Sequence, residues 1–320
     1  MGLETMIELQ EFKALQHAVT LLAMSGAGKT ALSKSLRQNA EWYHYSADYR
    51  IGTRYLVEHI LDNIKRRIMH MDDPFVANLL RSDSIYINHN ITVDNLEPVS
   101  TYLGMYGDPK LGGLDKQTFL KRQNDYRRAE VRSMLDVERF IDKAWHIYGC
   151  ETFVNDASGS LCEIVDLDNP DDPVISSLTT NTLILYIQAD AAFEKKIKEH
   201  ARNHPKPLFY NPTFIAPHLE GKPDSGEGIN PPDITRSLFP DLLEFRKPRY
   251  AHIAERHGFT VYADELYAPD AEGNTIPDAD TFLTRLHAEV VKQAQASAVA
   301  AANLETYLRA CRVRARQRKA

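Results

Sequence analysis

The stretch that decides the fold lies near the start of the chain and reads Ala23-Met24-Ser25-Gly26-Ala27-Gly28-Lys29-Thr30. It follows the apolar run of residues 17–22 and precedes a segment with helical spacing that starts at Ala31. A strand, a glycine-rich turn and a helix start are the context that a phosphate-binding loop, or P-loop, requires. Backbone N–H groups of such a loop hold phosphate oxygens, and the positive end of the following helix strengthens their attraction.

The residue types in this loop match that chemistry. Gly26 and Gly28 let the backbone curl around phosphate oxygens, while Lys29 is expected to reach the β- and γ-phosphates and Thr30 to hold Mg²⁺. Ala23 stands where the motif has glycine, which a backbone without positive φ tolerates. The alternative is an ordinary glycine-bearing turn of an α/β unit. The predicted nucleotide-binding residues are Ser25, Gly26, Ala27, Gly28, Lys29, Thr30 and Ala31.

Length and composition describe an ordinary globular protein. The 320 residues are 43% hydrophobic and 26% charged, enough for one large domain or two modest ones. No apolar run approaches the roughly 20 residues of a membrane span, and the first residues do not resemble a secretory signal. We therefore expect a cytoplasmic protein without a membrane partner. Cys150, Cys162 and Cys311 show neither metal-ligand nor disulfide spacing, and they are expected to be reduced.

The end of the chain is basic, although the net charge of the whole chain is −6 and argues against a whole surface built for nucleic acid. A basic segment of this kind suits nucleic acid, a membrane or an acidic partner. The alternative is a solvated, partly disordered tail. Its cationic residues are Arg309, Arg312, Arg314, Arg316, Arg318 and Lys319.

Apolar and aromatic segments predict five short strands that alternate with helices. This alternation indicates an α/β fold with a parallel sheet and helices on both of its faces. Ligands of such sheets lie beyond the carboxyl ends of the strands, so we place the site there. The predicted strands lie at residues 17–22, 42–46, 152–155, 183–187 and 259–262.

Other stretches predict additions to this core. Residues 115–148 carry the longest helical pattern, whereas residues 204–234 are rich in proline and predict a loop or lid with little regular structure. The alanine-rich stretch 296–302 is expected to continue the last amphipathic helix toward the basic end. We divide the chain into residues 1–70 (P-loop and first half of the core), 71–150 (helical insertion), 151–293 (second half, with a lid at about 191–234) and 294–320 (alanine-rich helix and basic tail).

Two strand ends carry candidate site residues. Asp156 ends the third strand, where a nucleotide enzyme places the carboxylate that orients Mg²⁺; the alternative is an aspartate that caps the next turn. Ser158 and Gly159 are candidates for substrate binding, or they only shape that turn. After the second strand, Asp48 is the candidate that orients or deprotonates an acceptor hydroxyl, and Arg50 the one that binds an anionic group.

Two further arginines complete the predicted site. Arg54 lies one helical turn from Arg50 and is a third substrate-binding candidate. The alternative for these charges is a surface ion pair near a helix start. Arg202 belongs to the basic segment 195–206, which suits a mobile flap that closes over phosphates, or else a solvated face. The predicted catalytic residues are Lys29, Asp48, Asp156 and Arg202, and the predicted metal ligands are Thr30 and Asp156.

Together, the P-loop, the Asp48 and Arg50 pair, the segment 156–160 and the basic lid resemble the P-loop kinases of the shikimate, gluconate and nucleoside-monophosphate type. This resemblance implies the strand order 2-3-1-4-5, ATP and Mg²⁺ as cofactors, and a lid arginine that closes on the phosphates. It covers about half of the chain and excludes the insertion and the tail. The sequence is also similar to bacterial proteins labelled only as ATPases. Residues 48–53 resemble, with compressed spacing, a segment of tRNA dimethylallyltransferases.

Two functions remain open at this point. The first is an enzyme that transfers the γ-phosphoryl group of ATP to a small hydroxyl-bearing substrate. The second is a nucleotide-dependent ATPase or switch whose insertion and basic tail bind a macromolecule such as RNA.

Overall fold

A single parallel sheet forms the centre of the computed structural model, which describes residues 7–39, 42–270 and 273–317. Its strand order is β2-β3-β1-β4-β5, and each neighbouring pair is parallel. The α/β fold and the order 2-3-1-4-5 are therefore confirmed. The strands are β1 (Ala18–Leu22), β2 (Trp42–Ser46), β3 (Thr152–Asp156), β4 (Leu183–Gln188) and β5 (Gly258–Tyr262).

Helices connect the strands and surround the sheet. Up to β3 they are α1 (Leu9–Lys13), α2 (Lys29–Asn39), α3 (Ala47–Arg50), α4 (Val57–Met69), α5 (Pro74–Arg81), α6 (Glu97–Leu103), α7 (Lys116–Leu135) and α8 (Val137–His146). After β3 they are α9 (Leu161–Ile164), α10 (Pro173–Asn181), α11 (Ala191–Asn203), α12 (Pro212–Leu219), α13 (Pro231–His257), α14 (Ala263–Leu266), α15 (Ala279–Ala296) and α16 (Ala298–Gln317). Among the described helices, none has the length and apolar character needed to cross a bilayer.

The chain divides into two units. The first, which we call the core unit, contains the sheet and comprises Met1–Ser46, Met134–Asn203 and Phe239–Ala320. The second, the helical unit, comprises Ala47–Ser133 and His204–Leu238. These bounds differ from the insertion at 71–150 and the lid at 191–234, because the helical unit joins two distant stretches of chain.

Hydrogen bonds hold those two stretches of the helical unit together. The hydroxyl of Tyr106 donates to the carbonyl oxygen of Pro223 at 2.5 Å, and the backbone N–H of Gly228 donates to Asp108 Oδ2 at 3.1 Å. Gln123 accepts a bond from the backbone N–H of Tyr210 at 2.9 Å. The segment that begins at residue 204 is therefore a structural part of this unit.

The prediction that residues 204–234 have little regular structure holds for 204–211 and 220–230, but two helices begin within the segment. Helix α12 begins at Pro212, and helix α13 begins at Pro231. Proline is well tolerated in a first helical turn, because its missing N–H has no partner there in any case. The high proline content therefore marks helix starts here as well as turns.

Two long helical predictions are interrupted in the structure. The pattern over 115–148 forms two helices, α7 and α8, which are separated at Asp136. The alanine-rich segment does not continue the preceding helix, since Ser297 separates α15 from α16. The hydroxyl oxygen of Ser297 accepts a bond from the backbone N–H of Ala300 at 3.3 Å, which is a typical cap of a new helix.

Helix α16 packs into the core unit instead of forming a disordered tail. Cys311 is 1% exposed, and Arg314 donates to the carbonyl oxygens of Asn181 at 3.0 Å and Gln16 at 3.4 Å. The expectation of a partly disordered tail is therefore wrong as far as Gln317. Arg318 and Lys319 lie outside the described residues.

Buried His17 links this helix to the strand that leads to the P-loop. Its Nδ1 lies 2.8 Å from the hydroxyl of Tyr307, and its Nε2 lies 2.8 Å from the carbonyl oxygen of Phe12. Burial lowers the pKa of His17 to about 4, the carbonyl of Phe12 raises it in part, and the charge of Arg314 lowers it further. The imidazole is therefore neutral at neutral pH.

This pKa predicts acid sensitivity. A histidine in the unfolded chain titrates near pH 6.5, whereas folded His17 titrates near pH 4. Between these values the unfolded state binds more protons than the folded state, so acid favours unfolding. The resulting loss of unfolding free energy is about 2 kcal/mol between about pH 7.5 and pH 5. Urea unfolding at the two pH values measures it, and His17→Gln should remove most of this loss. His70→Gln, at an exposed position, is the control, and an equal loss in both variants would contradict the assignment.

Candidate functional site

The backbone of the loop between β1 and α2 has a positive φ at two of its glycines. Gly26 has a φ of +91° and Gly28 a φ of +85°, a region that residues with a Cβ rarely adopt. Ala23 has no positive φ, so its methyl group fits at the glycine position of the motif. Helix α2 begins at Lys29, and the N–H groups of a first helical turn have no partner inside the helix. The loop thus combines two glycines of positive φ with the start of a helix.

The side chain of Lys29 folds back into this loop. Its ammonium donates to the carbonyl oxygen of Ala23 at 2.7 Å and lies 3.4 Å from that of Met24. Lys29 is only 7% exposed. A buried ammonium held by backbone carbonyls is a strong donor for an anion that enters the loop.

Thr30 and Asp156 meet although they are far apart in the chain. The hydroxyl of Thr30 donates to Asp156 Oδ2 at 2.7 Å. Asp156 ends β3, where it lies in register with Leu21 of β1 and Ser46 of β2. The parallel register therefore brings the carboxylate to the carboxyl edge of the sheet, beside the first turn of α2.

These two oxygens suit Mg²⁺. Octahedral Mg²⁺ binds oxygen at about 2.1 Å, so neighbouring ligands are about 3 Å apart, close to the observed separation. Proteins often supply only one or two Mg²⁺ ligands, and phosphates and water supply the others. Accordingly, the described residues contain no group of three or more His, Cys, Asp or Glu side chains that could hold a metal by themselves.

The turn after β3 packs against the P-loop. A Cβ at Gly159 would lie 3.1 Å from the backbone nitrogen of Ser25, so this position leaves little room for a side chain. The hydroxyls of Ser158 and Ser160 lie 2.8 Å apart. The hydroxyl of Tyr250 donates to the carbonyl oxygen of Gly159 at 2.7 Å. The predicted residues Ser158 and Gly159 therefore lie next to the phosphate-binding loop.

Comparisons with known proteins add little to this geometry. No protein-family model matches the sequence, and no curated protein does. Among solved structures, shikimate kinase from Acinetobacter baumannii in complex with shikimate is similar at 12% identity and a TM-score of 0.36. That match covers 89% of this chain and 98% of that chain. A likeness at this TM-score supports no conclusion about activity, and the fold assignment rests on the strand order.

His44 is a site residue that the sequence analysis missed. Its side chain is fully buried in β2, with Nε2 at 3.5 Å from Asp156 Oδ2. Strand residues two apart share a face, so His44 lies on the same face as Ser46, the register partner of Asp156. The alternation of side chains along β2 places His44 on the same face as Ser46. The sequence alone does not show that this face meets Asp156, because the two residues are far apart in the chain.

A cavity of about 380 Å³ opens beside the P-loop in the core unit. Tyr267, in the segment after β5, contacts Gly28 from this side, and sequence reasoning missed it as well. Phe193 of α11 offers an aromatic surface to the same space. The lining residues are Gly28, Asp190, Ala192, Phe193, Lys196, Ala263, Asp264, Tyr267, Thr275 and Ile276.

The predicted acceptor residues belong to the helical unit. Asp48 accepts a hydrogen bond from the hydroxyl of Tyr126 at 3.1 Å, and the guanidinium of Arg50 lies 5.5 Å from the ring centre of Tyr55. Arg54 is exposed. Arg202 is exposed at the end of α11 in the core unit.

The helical unit also contains a larger cavity of about 750 Å³. Its wall is mostly apolar and includes Phe209, Ile215 and Leu219. This volume lies within the usual range for small-molecule sites.

Proposed function

We propose that this chain is an Mg²⁺-dependent P-loop enzyme that transfers the γ-phosphoryl group of ATP to a small hydroxyl-bearing acceptor. The observation that carries this proposal is the 2.7 Å contact of Thr30 Oγ1 with Asp156 Oδ2 at the edge of the sheet. A glycine-rich loop alone could be an ordinary turn. Here the loop is followed by Lys29, and the hydroxyl of Thr30 lies beside the carboxylate of Asp156. This combination supports nucleotide binding.

Each of these residues has a distinct role in the proposal. The backbone around Gly26 and Gly28 surrounds the phosphates, and Lys29 neutralises charge on them. Thr30 and Asp156 would hold the metal ion. When bound, Mg²⁺ offsets negative charge on the transferring phosphoryl group. The cavity beside Gly28, with the aromatic surface of Phe193, suits the base of the nucleotide.

The primary test is calorimetry of the purified chain with ATP, with and without Mg²⁺. We expect binding that is stronger with Mg²⁺, and slow release of ADP with water or a hydroxyl compound as acceptor. Absence of ATP binding under both conditions would contradict the proposed function.

The acceptor contacts are proposed to include Asp48 and Arg50, with Ser158 and Gly159 as further contacts in the core unit. Arg202 is proposed to stabilise the phosphates. Asp48 lies in α3, two residues after the end of β2, and is half-buried. A carboxylate in this role orients or deprotonates the hydroxyl that attacks the phosphoryl group.

Asp48→Asn therefore should abolish acceptor-stimulated ADP release and leave the Kd for Mg·ATP unchanged. The loss expected for a general base is about 10²- to 10⁴-fold. The wild-type chain is first screened with a panel of hydroxyl-bearing small molecules in an ADP-release assay, and the variant is then compared on the best of them. Asp94→Asn, an exposed position of the same unit, is the control. Full acceptor stimulation in Asp48→Asn would exclude this role.

A switch that acts on RNA through the basic tail is the second candidate, and no observation favours it. In the described part of α16, Arg309 pairs with Glu305 at 3.0 Å, and Arg312 pairs with Glu11 at 3.4 Å. Arg314 is bound to backbone carbonyls. Arg314 thus has a structural role, whereas the ion pairs of Arg309 and Arg312 are exposed surface pairs.

A further inference from the structure

The phenol of Tyr267 contacts the P-loop at its last glycine. A Cβ built on Gly28 would lie 2.8 Å from the hydroxyl oxygen of Tyr267 and 2.9 Å from its Cζ. Since Gly28 has no side chain, the ring rests directly on the loop backbone. Because Gly28 has no side chain, the backbone can adopt a positive φ, and Tyr267 can approach the loop closely.

The hydroxyl of Tyr267 is buried and makes no hydrogen bond with any residue in the described part of the chain. A buried hydroxyl without a partner destabilises a folded protein, and most such groups in proteins have a partner. The ring alone would fill this space equally well if it were phenylalanine. The position of the hydroxyl therefore points to a ligand and not to packing.

The neighbouring P-loop indicates the kind of ligand. Tyr267 lines the 380 Å³ cavity together with Gly28 of that loop, one cation, Lys196, and two carboxylates, Asp190 and Asp264, so the cavity side chains alone do not select an anion. Burial, followed by the negative charge of Asp156, raises the pKa of Tyr267 above its ordinary value. The phenol therefore keeps its proton at neutral pH and offers it to an acceptor. An anionic oxygen held by the neighbouring P-loop is the strongest acceptor for such a donor.

We propose that the hydroxyl of Tyr267 donates a hydrogen bond to a phosphate oxygen of the bound nucleotide, on the side of the loop formed by Gly28. This inference rests on the proposed function, because it assumes that the loop holds a nucleotide. It adds a side-chain donor from the segment after β5 to the backbone donors of the P-loop. The phosphate chain is thus held by two segments of the core unit that are more than 200 residues apart.

Tyr267→Phe gives two effects of opposite direction. Loss of a hydrogen bond to a charged oxygen weakens nucleotide binding by about 10- to 100-fold. Removal of a buried hydroxyl that lacks a partner leaves the melting temperature of the nucleotide-free chain equal or higher. A hydroxyl with a structural role would instead lower the melting temperature.

The experiment measures Kd by calorimetry for Mg·ATP, Mg·ADP and adenosine, and Tm by scanning calorimetry without ligand. The control is Tyr262→Phe, at a position that is 42% exposed and only five residues away. For Tyr267→Phe we expect weaker binding of ATP and ADP, unchanged binding of adenosine and no loss of Tm. The control should match the wild-type chain in every measurement.

Three results would overturn the inference. Equal ATP affinity of the variant and the wild-type chain would show that the hydroxyl does not contact the nucleotide. An equal loss for adenosine would place the hydroxyl on the base or ribose, and a lowered Tm would give it a structural role. If the wild-type chain itself binds no ATP, the proposed function fails together with the inference.

Discussion

We expect Lys29→Met to lower the affinity for Mg·ATP and the rate of ADP release by about 10²- to 10³-fold, the range typical for loss of one electrostatic donor at a reacting group. The methionine side chain keeps the apolar stem of lysine and removes only the cation. In the structure that cation lies at 2.7 Å from the carbonyl oxygen of Ala23, inside the loop.

Lys34→Met is the matched control, because Lys34 lies on the same helix and is only half-buried. It removes the same charge from the chain and leaves the loop untouched. Calorimetry with Mg·ATP and an ADP-release assay separate the two variants, and Tm values show that both are folded. Equal losses for the two lysines would mean that net charge, and not the P-loop, governs nucleotide binding.

We expect Asp156→Asn to raise the Mg²⁺ concentration needed for half-maximal ADP release by about 10²-fold and to change ATP binding without Mg²⁺ far less. The amide matches the carboxylate in size and can still accept the hydrogen bond from Thr30. It lacks the negative charge that makes the oxygen a good Mg²⁺ ligand. The variant thus isolates metal binding from packing at the end of β3.

A Mg²⁺ titration of activity at saturating ATP measures this effect. Asp171→Asn is the control, since Asp171 is exposed and follows the same strand. Thr30→Val should raise the Mg²⁺ requirement too, because it removes the other proposed ligand. An unchanged Mg²⁺ requirement in Asp156→Asn would exclude this carboxylate as a ligand and leave it a helix-start contact.

Local patterns were sufficient for the strands and for the loop. The buried strands β1 and β4 are continuous apolar runs, and a P-loop is encoded within eight neighbouring residues. The strand order came from the resemblance to P-loop kinases, and the structure confirms it. Asp156 was predicted as a metal ligand because it ends a short strand with an apolar centre, which is a local signal too.

Features that depend on distant parts of the chain escaped the sequence analysis. Tyr267 and Gly28 are far apart in sequence, and nothing in either segment indicates their contact. His44 looked like one more strand residue until the register placed it near Asp156. The prolines at residues 212 and 231 read as loop signals in the sequence, although each of them begins a helix.

The division of each unit between distant stretches of chain has a consequence for synthesis on the ribosome. The helical unit cannot close until residues near 229 have emerged, since Gly228 bonds to Asp108. Strand β5 cannot pair with β4 before residue 262 has been synthesised. His17 cannot contact Tyr307 until a further 290 residues have been added to the chain. Contacts of such long sequence separation slow folding. Strands β1 to β4 therefore lack β5 and α16 while the chain between residues 188 and 307 is being made, and we expect the nascent chain to require chaperones during that interval.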